Sequence, residues 1–296
     1  MRGLLLRAAQ PVRRWLRQLE ALCCLVESSV YFNNRMIART ATLSGLPVRF
    51  KAALTHLAVT VAVALISAML VFYVWYPSPF EQLSGGADLF KLIVICDIVL
   101  GPLLTLIIFN SKKSRPALIR DLAVICSVQL VALVYGLWAM FIARPVYVSF
   151  EKDSFRVVHA NEVVNRQRPD QWDSTLSYPL TGPQFISLRP FKDRKEFFAV
   201  SDDEIGAGIK LSFRPELWQS YEADRLGIVL ASKPLAQLLA SKPSMVHQVQ
   251  AAVEKTQVQA KDILYLPIVS REKYWTALLK NNSAEIISYV NLDTYD

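Results

Sequence analysis

Three uninterrupted apolar stretches dominate the first half of the chain, at residues 54–75, 89–109 and 122–143, running for 22, 21 and 22 residues. At about 1.5 Å of rise per residue, a helix of that length crosses about 30 Å of hydrocarbon. Beyond residue 143 the pattern breaks into short mixed runs. The fold class this predicts is a membrane all-α part of three transmembrane helices followed by a soluble α+β domain. The chain therefore divides into residues 1–48, a basic segment; 49–143, the transmembrane part; and 144–296, the soluble part.

In the soluble part, residues 146–150 and 155–158 read as strands joined through Glu151, Lys152, Asp153 and Ser154 in a hairpin. Residues 159–195 are turn-rich, with Pro169, Pro179, Pro183 and Pro190. Residues 197–200 read as extended, and 215–225, 234–239 and 245–259 favour helices. Strands at 263–269 and 286–292 flank a predicted helix over 271–279. Strand order does not follow from these signals.

Charge changes the picture by assigning sides. Residues 1–143 carry 14 basic and 6 acidic side chains, whereas 144–296 carry 19 of each, so the whole formal charge of +8 belongs to the membrane half. Arg49 and Lys51 precede the first span. Lys112, Lys113, Arg115 and Arg120 lie between the second and third, and the connector at 76–88 has no basic residue. Basic residues near span ends mark the cytoplasmic side, which places the N-terminus inside and the soluble domain outside. An excess confined to membrane flanks can meet anionic lipid, but it is not the folded basic face of a nucleic-acid-binding protein.

The leader alternates Arg2, Arg7, Arg13, Arg14 and Arg17 with apolar residues, a pattern that fits an amphipathic surface helix. Initiation at Met36 is the alternative reading. Cys23 and Cys24 lie in this leader, Cys96 and Cys126 lie in the spans, and the soluble half has no cysteine. Cys23 and Cys24 read as free thiols. His56, near the inner end of the first span, reads as an interfacial residue rather than a ligand.

The second span carries the unusual chemistry. Asp97 sits near mid-membrane, where a carboxylate needs protein, water or a partner around it. Gly101 lies four residues on, on the same face, and admits a close neighbour; Pro102 removes a helix donor and predicts a kink or opening. Three readings stay open: packing with Asp97 hydrogen-bonded to Ser127 or Gln129, a seat for another protein's helix, and a proton or ion path. Three spans without an inverted repeat argue against transport in isolation.

Catalytic patterns do not emerge: there is no G-x-S-x-G, H-E-x-x-H or Walker sequence. His159 with Glu162 reads as a solvated polar pair and the acidic run Asp202, Asp203 and Glu204 as a surface turn, while Gly206 with Gly208 is too short a glycine pattern to imply a nucleotide. His247 is isolated. The expectation is a protein that is not an enzyme and holds no cofactor or metal.

The segments YPSPFEQLSGGADLF, DIVLGPLLTLIIF, RDLAVICSVQLVALVYGLWAMF and ARPVYVSFEKDSFRVVHANEV, in this order around three spans, closely resemble type IV pilin accessory proteins of the TfpX/TfpZ family. The resemblance is strong over residues 50–163 and looser beyond, and the first 35 or so residues depart from it. It implies a bacterial inner-membrane, multi-pass accessory with a periplasmic C-terminal domain that promotes or modulates assembly of a cognate type IV major pilin, with the pilus assembly machinery and membrane lipids as further partners. On that footing Asp97, Gly101 and Pro102 help form an intramembrane groove for the pilin helix, with Leu100 and Leu104 beside it. A membrane-anchored ligand sensor is the alternative function.

Overall fold

The computed structural model describes residues 47–110, 113–164, 178–271 and 273–295. The expectations placed on the leader, on Cys23 and Cys24, and on Lys112 lie outside these residues.

Three helices are long and apolar enough to cross a membrane: Val48–Trp75, Gly86–Ile108 and Arg115–Ile142. Each begins earlier in the chain than its hydrophobic core, by three to seven residues. The reason is that backbone hydrogen bonding continues through interfacial polar residues which hydropathy discounts. The first consists of α1 (Val48–Met69) and a six-residue π-helical end, Leu70–Trp75, in which the Tyr76 N–H reaches back to the Val71 carbonyl. Pro77 and Pro79 follow, and a short α2 (Phe80–Leu83) precedes α3 (Gly86–Ile108). α3 runs through Pro102 without ending. α4 (Arg115–Ile142) takes Arg115 and Arg120 into its first turns.

The soluble domain follows at once. Its elements are β1 (Pro145–Glu151), β2 (Ser154–His159), β3 (Gln184–Leu188), α5 (Arg194–Ala207), β4 (Trp218–Ser220), α6 (Arg225–Ala231), β5 (Lys233–Pro234), α7 (Leu235–Ser241), α8 (Val246–Glu254), β6 (Ile263–Ser270), β7 (Lys273–Lys280) and β8 (Ile286–Val290). Among the described residues the strands form one eight-stranded sheet in the order β4-β3-β1-β2-β6-β7-β8, with β5 also paired to β6. The β1–β3 and β2–β6 pairs are parallel and the rest antiparallel.

β6 is buried along its whole length, and its alternation divides the core. Leu264, Leu266 and Ile268 face one layer with Val148, Phe150, Phe155, Trp275 and Ile228 of α6. Ile263 and Tyr265 face the other, covered by Leu235 and Leu238 of α7 and Val249 of α8.

Several local expectations are corrected by this pairing. Residues 273–279 lie in β7 rather than in the helix expected over 271–279: Arg271 takes a left-handed φ of 54° after β6, and the eight residues of β7 pair with β6 in register. Partnering across the sheet overrides the helix preference of Ala277, Leu278 and Leu279. Residues 197–200 lie inside α5, because Asp193 caps it, its carboxylate accepting the Glu196 N–H at 2.7 Å, and Gly208 ends it at φ 69°. Residues 215–225 form 3₁₀ turns around β4, and β3 emerges from the stretch read as turns.

The chain forms two compact units whose boundaries cut across the spans. Among the described residues, one holds those up to Ser67 together with those of Lys91–Leu137; the other holds Ala68–Phe90 and those from Trp138 onward. The connector between the first two spans thus folds with the soluble sheet. Phe80 and Leu83 of α2 are members of its main core layer, and the Phe80 ring meets Tyr289 edge-on with centroids 5.9 Å apart.

Candidate functional site

Two polar assemblies stand out, one in each unit. In the first, residues from all three spanning helices meet. His56 of α1 contacts Thr105 of α3 through Nδ1 at 2.6 Å and Gln129 of α4 through Nε2 at 2.7 Å. The Gln129 oxygen can only accept, so Nε2 donates to it, while the Thr105 hydroxyl can either donate to Nδ1 or accept from it. The Gln129 amide nitrogen donates to the Asp97 main-chain carbonyl at 3.1 Å. Apolar surroundings give no competing water, so a node in which every member is matched holds three helices in one register.

The node revises the sequence expectations for its members. His56, read as interfacial, is bonded on both ring nitrogens. The anticipated link between Asp97 and the third span exists, but through the Asp97 backbone; its carboxylate finds no hydrogen-bond partner among the described residues. Gly101 is buried under Gln129: a Cβ there would lie 2.3 Å from the amide nitrogen. Gly136 of α4 similarly admits Ile93 of α3, whose Cδ1 would be 2.7 Å from an added Cβ. Leu100 and Leu104 are exposed on α3, and Pro102 is half-buried beside Gly101.

The topology residues sit at helix ends. Arg49 and Lys51 are in the first turn of α1, with the Arg49 guanidinium 5.4 Å from the centre of the Phe50 ring, and Lys113 pairs with Asp121 at 2.6 Å. Cys96 and Cys126 lie on α3 and α4 and are not joined in disulfides.

The second assembly ties the connector to the sheet. The Ser84 hydroxyl lies 3.1 Å from that of Ser270, which is 3.5 Å from Nε2 of His159; Nδ1 of His159 donates to Glu162 at 2.8 Å. Glu162 also accepts the His159 N–H and the Arg271 guanidinium. The order acid, histidine, serine is that of a hydrolytic relay. Burial excludes that use here: Ser270 is 1% and His159 0% exposed, and Ser84 stands against the hydroxyl where a substrate carbonyl would have to approach. The chain of bonds is a latch, reinforced where the Lys273 ammonium donates to the Gln82 carbonyl at 2.7 Å. His159 is accordingly a core group rather than a solvated one, and Glu162 is half-buried at its edge.

Burial pushes the Glu162 carboxyl up, but the bonds from His159 and the charge of Arg271 outweigh it and hold the group below its ordinary range. A depressed carboxylate contributes stability that is complete above the unfolded pKa and lost as pH falls through the folded value. Thermal unfolding between about pH 6 and about pH 3 should therefore show an acid limb that Glu162→Gln flattens; equal slopes in the two proteins would remove Glu162 from the latch.

The remaining acidic run lies in the last turns of α5, not in a surface turn, and two of its members are paired: Asp203 with buried Arg214 at 2.8 Å and Glu204 with Lys210 at 3.6 Å. His247 is exposed on α8. Among the described residues no group of three His, Cys, Asp or Glu is placed to hold a metal ion.

Comparison with known proteins converges on the region just described. Residues 45–85, which span α1, its π-helical end and the buried part of the connector, match the family of the fimbrial assembly protein FimB. Two Dichelobacter nodosus proteins, the fimbrial assembly proteins of serogroup E1 and serogroup I, are each 32% identical over 243 residues, covering 81% of this chain and 94% of the relative. The fimbrial assembly protein of serogroups C1 and C2 is 39% identical over 114 residues, 38% of this chain and 87% of that protein. No solved structure matches the chain. The names of these relatives denote assembly rather than catalysis, in keeping with a chain whose serine and histidine are sealed in a core. Similarity across nearly the whole length of two relatives, three spanning helices and a mixed α/β domain together make this chain a member of the FimB-like fimbrial assembly protein family.

Proposed function

We propose that this protein is a bacterial inner-membrane accessory of the TfpX/TfpZ kind, which promotes or modulates assembly of a cognate type IV pilin. The observation that carries the reading is the 32% identity with fimbrial assembly proteins over 94% of their length. In this reading the N-terminus is cytoplasmic, the soluble domain is periplasmic, and a pilin subunit held in the same membrane meets the accessory at two levels.

The intramembrane contact is assigned to the exposed side of α3. Gly101 and the Asp97 carbonyl are covered by Gln129 of this chain, so the pilin helix would lie against Leu100 and Leu104, beside the Asp97 carboxylate and Pro102. Photocrosslinking amino acids at Leu100 and Leu104 should trap pilin, and loss of the gene with the pilin gene retained should lower pilin abundance and surface pili. Absence of crosslinks at normal expression would reject this contact; unchanged pili in the deletion would reject the function.

Orientation is separately testable. A periplasm-active reporter fused after Asp296 should be active and one inserted near Ser114 inactive. Replacing Lys112, Lys113, Arg115 and Arg120 together by Gln should give mixed orientation or reduced insertion. A single retained orientation would assign topology to the leader with Arg49 and Lys51 alone.

A further inference from the structure

Helix α5 presents an apolar stripe to solvent in a setting of positive charge. Successive residues of a helix are rotated by about 100°, which puts Arg194, Phe198 and Ile205 within about 40° of one another on a single line. Phe198 is 57% and Ile205 87% exposed. Phe197, also exposed, flanks the line and stacks edge-on against both Phe198 and Phe191, with centroids 5.5 and 5.4 Å apart. Three aromatic rings are thereby held as a rigid platform at one end of α5.

The charges around that platform are unevenly neutralised. Glu196 is bound to Arg189 through both oxygens, at 2.7 and 3.0 Å, and accepts the Lys192 N–H; this holds its carboxyl at about 2. Asp193 is committed to capping the helix. Lys192, Arg194 and Lys195 are exposed beside the rings. Toward the other end, Asp203 and Glu204 are drawn off by Arg214 and Lys210, leaving Asp202 as the acid on the outward side.

We propose that the first half of α5 docks on an anionic phospholipid surface, with Phe197 and Phe198 entering the headgroup boundary and Lys192, Arg194 and Lys195 meeting the phosphates. Aromatic rings at the edge of a basic cluster are the side chains that gain from a surface apolar beneath and negative above. The occupant follows from charge complementarity and from attachment: the unit that carries α5 also contains the ends of three membrane spans, so a bilayer is present at high effective concentration whatever protein partner is bound. A second exposed aliphatic pair, Leu226 and Leu230 on α6, has Glu222, Asp224 and Arg225 just before it, with Arg225 paired to Glu222, so no excess of positive charge accompanies it.

The test uses the full chain in nanodiscs, with the fluorescent residue dansylalanine introduced at Phe198 and, as a control, at Leu230. In bilayers of phosphatidylglycerol and phosphatidylcholine with brominated acyl chains, the probe at 198 should be quenched and blue-shifted and the probe at 230 should not. More than half of that quenching should disappear in pure phosphatidylcholine, in about 1 M salt, where screening shortens the reach of charge to about 3 Å, and in the K192Q/R194Q/K195Q protein. That variant leaves the Asp193 cap and the Arg189–Glu196 pair in place, so an unchanged circular dichroism spectrum separates lost docking from lost folding. A solvent-like, unquenched probe at 198 in every bilayer would overturn the proposal. A probe shielded only after pilin or a second copy of this chain is added would also overturn it, and would reassign the platform to protein contact.

Discussion

Phe80→Ala is expected to destabilise the protein by about 3–5 kcal/mol, the range for truncating a buried phenylalanine in a core that cannot collapse around the space left. The site offers little scope for collapse. Phe80 is held between the connector and the strands: Leu83 and Tyr289 pack with it, and the same layer contains Val148, Phe155, Leu266 and Trp275. The main-chain bonds that close α2 and the Lys273 and Ser270 contacts hold the connector at fixed depth, so the ring cannot be replaced by inward movement. The change should appear as a lowered unfolding temperature of the detergent-solubilised full chain, followed by tryptophan fluorescence, and as new protease sensitivity in residues 76–90. Phe80→Leu should retain more than half of the lost stability. An unchanged unfolding temperature in Phe80→Ala would mean that the connector contributes nothing to the soluble core.

Gly101→Ala is expected to disrupt the three-helix node at a cost of about 1–3 kcal/mol. The added methyl would sit 2.3 Å from the Gln129 amide nitrogen, inside contact distance, and the amide is the part able to give way. Its departure breaks the bonds to His56 and to the Asp97 carbonyl, and hydrogen bonds between spanning helices are worth about 0.6–1.7 kcal/mol each. The mechanism has a signature in a double-mutant cycle. Gln129→Ala removes the same bonds, so adding Gly101→Ala to it should cost nothing further and can refill part of the space. Unfolding of the full chain in mixed micelles, followed by loss of proximity between labels on α1 and α4, measures all three proteins. Strictly additive effects would show that Gly101 is small for a reason unrelated to Gln129.

Of the two residues, Gly101 is conspicuous in the sequence and Phe80 is not. Gly101, four residues after Asp97, announced a close approach on one face of a helix. The neighbour that makes use of it is Gln129, because three spans can pack in several rotations and a glycine does not specify which side chain fills its place. His56 carried no signal of its own: a lone histidine near the end of an apolar run is compatible with an interface, and only helix packing brings Thr105 and Gln129 to its two nitrogens. The pair His159 and Glu162 was visible as a three-residue spacing. The burial of His159 involves Ser270 and Ser84, which are 111 and 186 residues from their partners in sequence, beyond any local pattern.

The three spans follow from the sequence by itself, since twenty or so apolar residues can satisfy their backbone in a bilayer only as a helix, a local requirement. The same holds for the β1–β2 hairpin, for α7 and α8, and for the switch from a membrane half to a charge-balanced soluble half. Tertiary structure alone decided that residues 273–279 are in a strand, because a segment of ambiguous propensity takes the conformation that completes the hydrogen bonds of buried β6. It also decided the fate of the connector. A polar, glycine-containing link between two spans reads as a loop, but Phe80 and Leu83 are apolar enough to enter a core once the sheet offers one, and the free energy of removing them from water draws the connector into the soluble domain.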